Sequence, residues 1–173
     1  MAVARTIYGS SAAITITLAS LASDANFSTG RAGTAIDLTA QSTFPIDVLI
    51  NGTIALSSLS TTTVVGNTQI RVYAAGSAGS TAYTGNLSSA DAGQSFTGGE
   101  QNVLPLLAAM AVTTTPVAVT TGQAFDFGPV SLANAFGGIL PEQFNLFVVH
   151  NTGASLNATG HSISYVPVWF ASS

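Results

Sequence analysis

The chain has no cysteine and no lysine, and its 3 arginines face 7 carboxylates across 173 residues. Without cysteine there is neither a disulfide nor a thiolate metal site, and the redox compartment is left open. A net charge of −4 without lysine argues against a nucleic-acid partner, because phosphate binding needs a cationic footprint. No apolar run approaches the ~18 residues that cross a bilayer, so no membrane partner is expected either. Charged residues make up 6% of the chain, against roughly 25% in an average soluble domain.

What replaces charge is hydroxyl and glycine: 20 serines, 22 threonines and 17 glycines. The 47% apolar content rules out charge-driven disorder and is enough for a core in a chain of this length. A surface of hydroxyls and backbone has little repulsion to keep copies apart, so the composition suits a protein that works in an assembly. Length and the absence of a composition break predict one domain, residues 1–173.

Period-two alternation recurs along the chain, and no helical stripe is sustained for three turns. Residues 12–22 have the small and apolar character of a signal core, but Ile14, Ile16 and Leu18 alternate with Thr15, Thr17 and Ala19, so the expected element is a half-buried strand over about 13–21. Residues 1–12 and 22–34 read as extended arm or loop, and 35–40 as a short strand. The run from Ile46 is a strong strand, with Ile46, Val48 and Ile50 on one face. Asn51-Gly52 offers a hairpin turn or a bulge; the richer turn region between Ser57 and Asn67 favours a bulge in one strand from 46 to 57. In the next run Ile70, Val72 and Ala74 should face the core and Arg71 and Tyr73 the outside.

Residues 75–100 form a Gly- and Ser-rich surface excursion with a weak strand near Tyr83. Pro105 would suit the first turn of a helix over 104–112, yet the Thr- and Val-rich continuation through Thr120 favours extended chain, and a strand is expected. Phe125–Val130 is edge-like because Pro129 cannot donate to a ladder, Phe144–His150 is apolar on both faces and reads as central, and His161–Phe170 is a last strand whose Pro167 points to an edge or bulge. Short strands separated by turn signals define an all-β, single-domain β-sandwich, jelly-roll-like in character.

Catalytic patterns are scarce. His150 and His161 are the only histidines and read as strand-end residues; no G-x-S-x-G elbow or calcium-loop pattern occurs. Asp37 and Asp47 are the pair to consider for acid–base work, and a solvated face is the expected role. Asp91-Ala92-Gly93 and Gly76-Ser77-Ala78-Gly79 read as turns. Asp47 and Arg71, on the polar phases of two strong strands, are expected to form a cross-strand pair. The sequons at Asn26, Asn51, Asn86 and Asn157 are few enough to arise by chance. No catalytic residue, cofactor or metal is expected, and the chain is read as a non-enzyme.

One resemblance adds to this. Phe127-Gly128-Pro129-Val130-Ser131-Leu132-Ala133 leads into Phe136-Gly137-Gly138-Ile139-Leu140-Pro141, then Phe144 to Gly153, Leu156 and Thr159-Gly160-His161. Together with Ile46–Ile50 and Thr68–Ala74, this resembles the head decoration, or cement, proteins of tailed bacteriophages over roughly residues 44–166. The FGG-x-LP and VVHNTG segments are its most specific parts, and residues 75–100 depart from it in their scarcity of aromatics. The resemblance implies a β-sandwich, jelly-roll-like subunit on the outer surface of the virion capsid, bound to the major capsid protein, without catalytic activity.

A symmetric assembly, expected as a homotrimer, suits local three-fold positions on such a shell. The segment 22–34, with Phe27 and Arg31 as its large apolar and cationic groups, is the candidate capsid contact. The alternative is a carbohydrate-binding or host-adhesion module stacking sugars on Tyr73, Tyr83, Tyr165 or Trp169.

Overall fold

A computed structural model describes residues 4–57, 68–79, 82–112 and 123–172. The expected turn between Ser57 and Asn67 and the extended chain over Thr113–Thr120 lie for the most part outside the described residues. The strands are β1 (Ala4–Tyr8), β2 (Ala12–Ala13), β3 (Thr29–Ala32), β4 (Ile36–Asp37), β5 (Asp47–Leu56), β6 (Thr68–Ser77), β7 (Ala92–Ser95), β8 (Leu106–Val112), β9 (Gln123–Ser131), β10 (Gln143–His150) and β11 (Ser162–Ser172). A four-residue helix, α1 (Leu132–Ala135), is N-capped by the Ser131 hydroxyl, which accepts the Asn134 N–H.

One sheet runs β1-β11-β5-β9 with β2 alongside β11; the other runs β7-β3-β10-β6-β8 with β4 alongside β10. Pairing is nested: β1 with β11, β3 with β10, β5 with β9, β6 with β8, all antiparallel. The chain is thus one long hairpin rolled on itself, and rolling lays β11 beside β5 and β10 beside β6. This is the jelly-roll connectivity, and the molecule is an all-β sandwich.

The core between the sheets takes Val48, Ile50, Ile54 and Ile163 from one side and Ile70, Val72, Phe144, Leu146 and Val148 from the other. A second apolar cluster lies on the far face of the β10 sheet, where Tyr73, Phe147 and Val149 are covered by Tyr83, Leu87, Phe96 and Leu104. This is why β10 is apolar on both faces: even positions enter the inter-sheet core, and Phe147 and Val149 enter the second cluster.

Several expectations change. Of the strand expected over 13–21, only Ala13 is laddered, in β2 with Ala12. Ile14 and Leu18 are buried as the alternation predicts, but the segment crosses between sheets: the Ile14 N–H donates to Ile163 O and Thr15 O accepts from the Thr34 N–H. Residues 4–8 form a strand instead of a free arm, and Thr29–Ala32 within 22–34 is a sheet strand. Gly30 sits there because the backbone lies against Phe147; a Cβ would come within 2.8 Å of its ring. Ile46 is 42% exposed, outside the core that Val48 and Ile50 enter.

Tyr73 does point away from the inter-sheet core, yet it is buried by the second cluster. No strand forms at Tyr83, where a 3-10 turn follows at Thr84–Asn86. The ladder irregularity falls at Asn51, as expected, but the extra residue belongs to β9, beside Gly128-Pro129. β9 is an edge strand. β11, however, is interior: Pro167 O accepts from the Gly9 N–H, so the missing proline donor faces the break between β1 and β2 and costs no ladder bond. Of the two glycine turns, Gly76 and Ser77 end β6, and Ala92 and Gly93 begin β7.

Candidate interaction surface

The expected contact residues Phe27 and Arg31 are engaged within the fold. Arg31 Nε donates to Asp91 Oδ1 at 2.6 Å, and Arg31 also reaches Asp91 O at 3.1 Å. Asp91 further accepts the Thr17 N–H and hydroxyl. Burial pushes the Asp91 carboxyl up, but the hydrogen bonds from Arg31 and Thr17 and the charge of Arg31 outweigh it and leave the pKa at about 2. Phe27 lies under the Arg71 guanidinium, 3.8 Å from its ring centroid. The loop itself is tied by Asp24, whose carboxylate accepts the N–H groups of Thr29, Asn26 and Ser28 and is lowered by them, Thr29 foremost.

The expected Asp47–Arg71 pair does not form, because β5 and β6 lie in different sheets. Asp47 accepts the Ala133 N–H at the start of α1, and Arg71 donates to Gln69 and to the Tyr73 hydroxyl. Asp37 and Asp47 are likewise divided between the sheets. Both histidine rings are engaged at each nitrogen. Buried His150 donates from Nε2 to Leu21 O at 3.0 Å and meets the Thr152 hydroxyl at Nδ1. His161 Nδ1 accepts the Ala55 N–H, and Nε2 donates to Asn157 O. Among the described residues no cluster of three metal-ligating side chains occurs.

The proposed sugar stackers are also occupied. Tyr73 is 8% and Tyr83 5% exposed; Tyr83 donates its hydroxyl to Gln143. Tyr165 packs edge-on against Phe144, and Trp169 donates Nε1–H to Thr43 O while its ring covers Gly9. Two open hollows are among those on the described surface. One of about 370 Å³ is lined by Ile14, Ile16, Leu18 and Ile163. The other, about 260 Å³ at the ladder irregularity, carries two bonded pairs, in which the Thr53 hydroxyl donates to Asp126 and the Ser164 hydroxyl to Asn51.

Among the described residues the exposed large apolar side chains include Phe44, Ile46, Val103 and Leu106, and the three most exposed lie at two further places. The first is the ribbon formed by β1 and the end of β11, whose β1 residues are all exposed. Register puts Arg5 and Ile7 on the face of Trp169, and Thr6 and Tyr8 on the face of Phe170 and Val168. Ile7 is 45%, Tyr8 63% and Phe170 64% exposed. The second is Ile139, 79% exposed on the loop after α1. Gly137 and Gly138 hold that loop at φ +75° and +97°, a conformation that disfavours side chains. The sequence resemblance includes this loop but gave no sign that Ile139 is its outermost apolar group. The ribbon's signal, Thr6-Ile7-Tyr8, is too short to define a strand alone.

The fold and surface define a charge-poor jelly-roll sandwich whose most exposed large apolar side chains, among the described residues, are Ile139, Phe170 and Tyr8. The chain matches no protein-family model, no curated protein and no solved structure.

Proposed function

We propose that the protein is a structural component of a virus particle, decorating and stabilising the outer surface of a tailed-bacteriophage capsid through contact with the major capsid protein. The observation that carries this reading is Ile139: among the described residues the most exposed large apolar side chain stands on the FGG-x-LP loop, one of the two most specific parts of the resemblance. Jelly-roll sandwiches serve as virion building blocks, and a hydroxyl-rich surface with few charges loses little on close packing against a neighbour. With Phe27 and Arg31 engaged inside the fold, the shell contact is assigned to the Ile139 loop.

The test is co-sedimentation of the purified protein with undecorated phage heads. Saturable binding at a stoichiometry tied to the shell lattice, weakened at least ten-fold by Ile139→Asp, supports the reading. Failure to bind, or binding to glycans in place of heads, overturns it.

A further inference from the structure

We infer that β1 is a self-association edge, and that two copies of this chain join their β1 strands antiparallel about a two-fold axis. This concerns the free protein and stands apart from the capsid reading.

The Gly9 N–H donates to Pro167 O, and the β1–β11 register continues in step from there. Antiparallel ladders alternate, so Ile7 and Arg5 direct their N–H and C=O groups to β11, while Ala4, Thr6 and Tyr8 direct theirs away from it. No described residue pairs with that outward row. Such an edge is a template for another strand, and proteins usually block it with lysine, proline or a bulge. β1 has none of these, its one charge is Arg5, and β11 carries no charge at all. The other edge of this sheet, β9, contains Gly128-Pro129 beside its irregularity. In the second sheet, β8 is bordered by β9 and α1.

The occupant follows from self-complementarity. Pairing the outward row of β1 with itself sets Ala4 opposite the partner's Tyr8 and Thr6 opposite the partner's Thr6. All outward backbone groups are then used. Arg5 falls opposite the partner's Ile7, so the two arginines do not meet. The pairing also converts an exposed two-stranded ribbon, marginal on its own, into a four-stranded sheet spanning both copies, and draws Ile7, Tyr8 and Phe170 toward cover. A contact of this kind is isologous and closes at two copies, in place of the three-fold ring expected from the sequence.

Thr6 meeting its own counterpart gives the test. Sedimentation velocity on the full chain should show a concentration-dependent dimer. Thr6→Lys alone and Thr6→Glu alone should each weaken it about five-fold, since like charges directly opposite repel, and an equal mixture should recover at least wild-type affinity. Thr6→Pro, which removes an outward donor without touching the β11 ladder, should be monomeric with unchanged Trp169 emission. A wild-type chain that stays monomeric at roughly 200 µM, well above the range of a specific contact, overturns the inference. So does a trimer, a mixture no tighter than its components, or an edge that pairs only with the shell.

Discussion

Arg31 of β3 and Asp91 ahead of β7 form a 2.6 Å ion pair across 60 residues of sequence, and the same carboxylate holds Thr17 of the crossover segment. One carboxylate therefore joins three stretches of chain that share no ladder with one another beyond β3–β7. The pair fixes the edge of the second sheet.

That arrangement sets the behaviour in strong acid. Asp91 has a folded pKa of about 2 against an ordinary 3.8, so the unfolded chain takes up the proton first as pH falls. Its stabilising contribution is complete above about pH 4 and is lost as pH drops through about 2. In Asp91→Asn, denaturant midpoints should be lower at pH 6 and should fall less between pH 4 and 2 than in the wild type.

His150 acts in a higher window. Burial lowers its pKa from the ordinary 6.5, opposed by the bond to Leu21 O. The unfolded state again binds the proton first, so stability is full above about pH 6.5 and declines as pH falls toward the folded value. Chemical denaturation between pH 7.5 and 5.5 should show this slope. His150→Gln should flatten it whatever its effect on absolute stability.

Core truncations should separate the two apolar clusters from the surface. Val148, fully buried between the sheets, should cost about 1–3 kcal/mol as alanine, and Phe147 in the second cluster about 3–5 kcal/mol. Ile46→Ala, at a 42% exposed position, should stay within about 0.5 kcal/mol. Urea midpoints at pH 7 provide the comparison.

Gly9 governs the ribbon. A Cβ there would lie 2.6 Å from the Trp169 ring, so Gly9→Val must displace the indole. Since Trp169 is the only tryptophan, its emission should shift to the red. The thermal midpoint should move little, because the ribbon lies outside the core.

Strands whose own side chains decide their placement were legible from sequence. Phe144–His150 reads as doubly covered because both of its faces are apolar, and β6 reads from Ile70, Val72 and Ala74. Asn51-Gly52 marked the place of the irregularity, but not that the extra residue would lie on β9. Placement by a distant neighbour was not legible. Gly30 looks like a loop residue until Phe147 occupies the space its side chain would need. Tyr73 has the period of an outward residue, and only the fold-back of residues 83–104 buries it. Arg31 and Asp91 carry no local mark of each other. At the surface, exposure of Ile139 and of the β1 ribbon depends on where the sandwich ends, which alternation cannot tell.

The most direct measurement is a cryo-electron microscopy reconstruction of undecorated tailed-phage heads incubated with the purified protein. The account predicts density for this sandwich on the outside of the shell, repeating with capsid symmetry, with the loop of residues 136–141 against the major capsid protein. Bare shells at saturating protein, or density that contacts the shell through another face with the Ile139 loop turned to solvent, would contradict it.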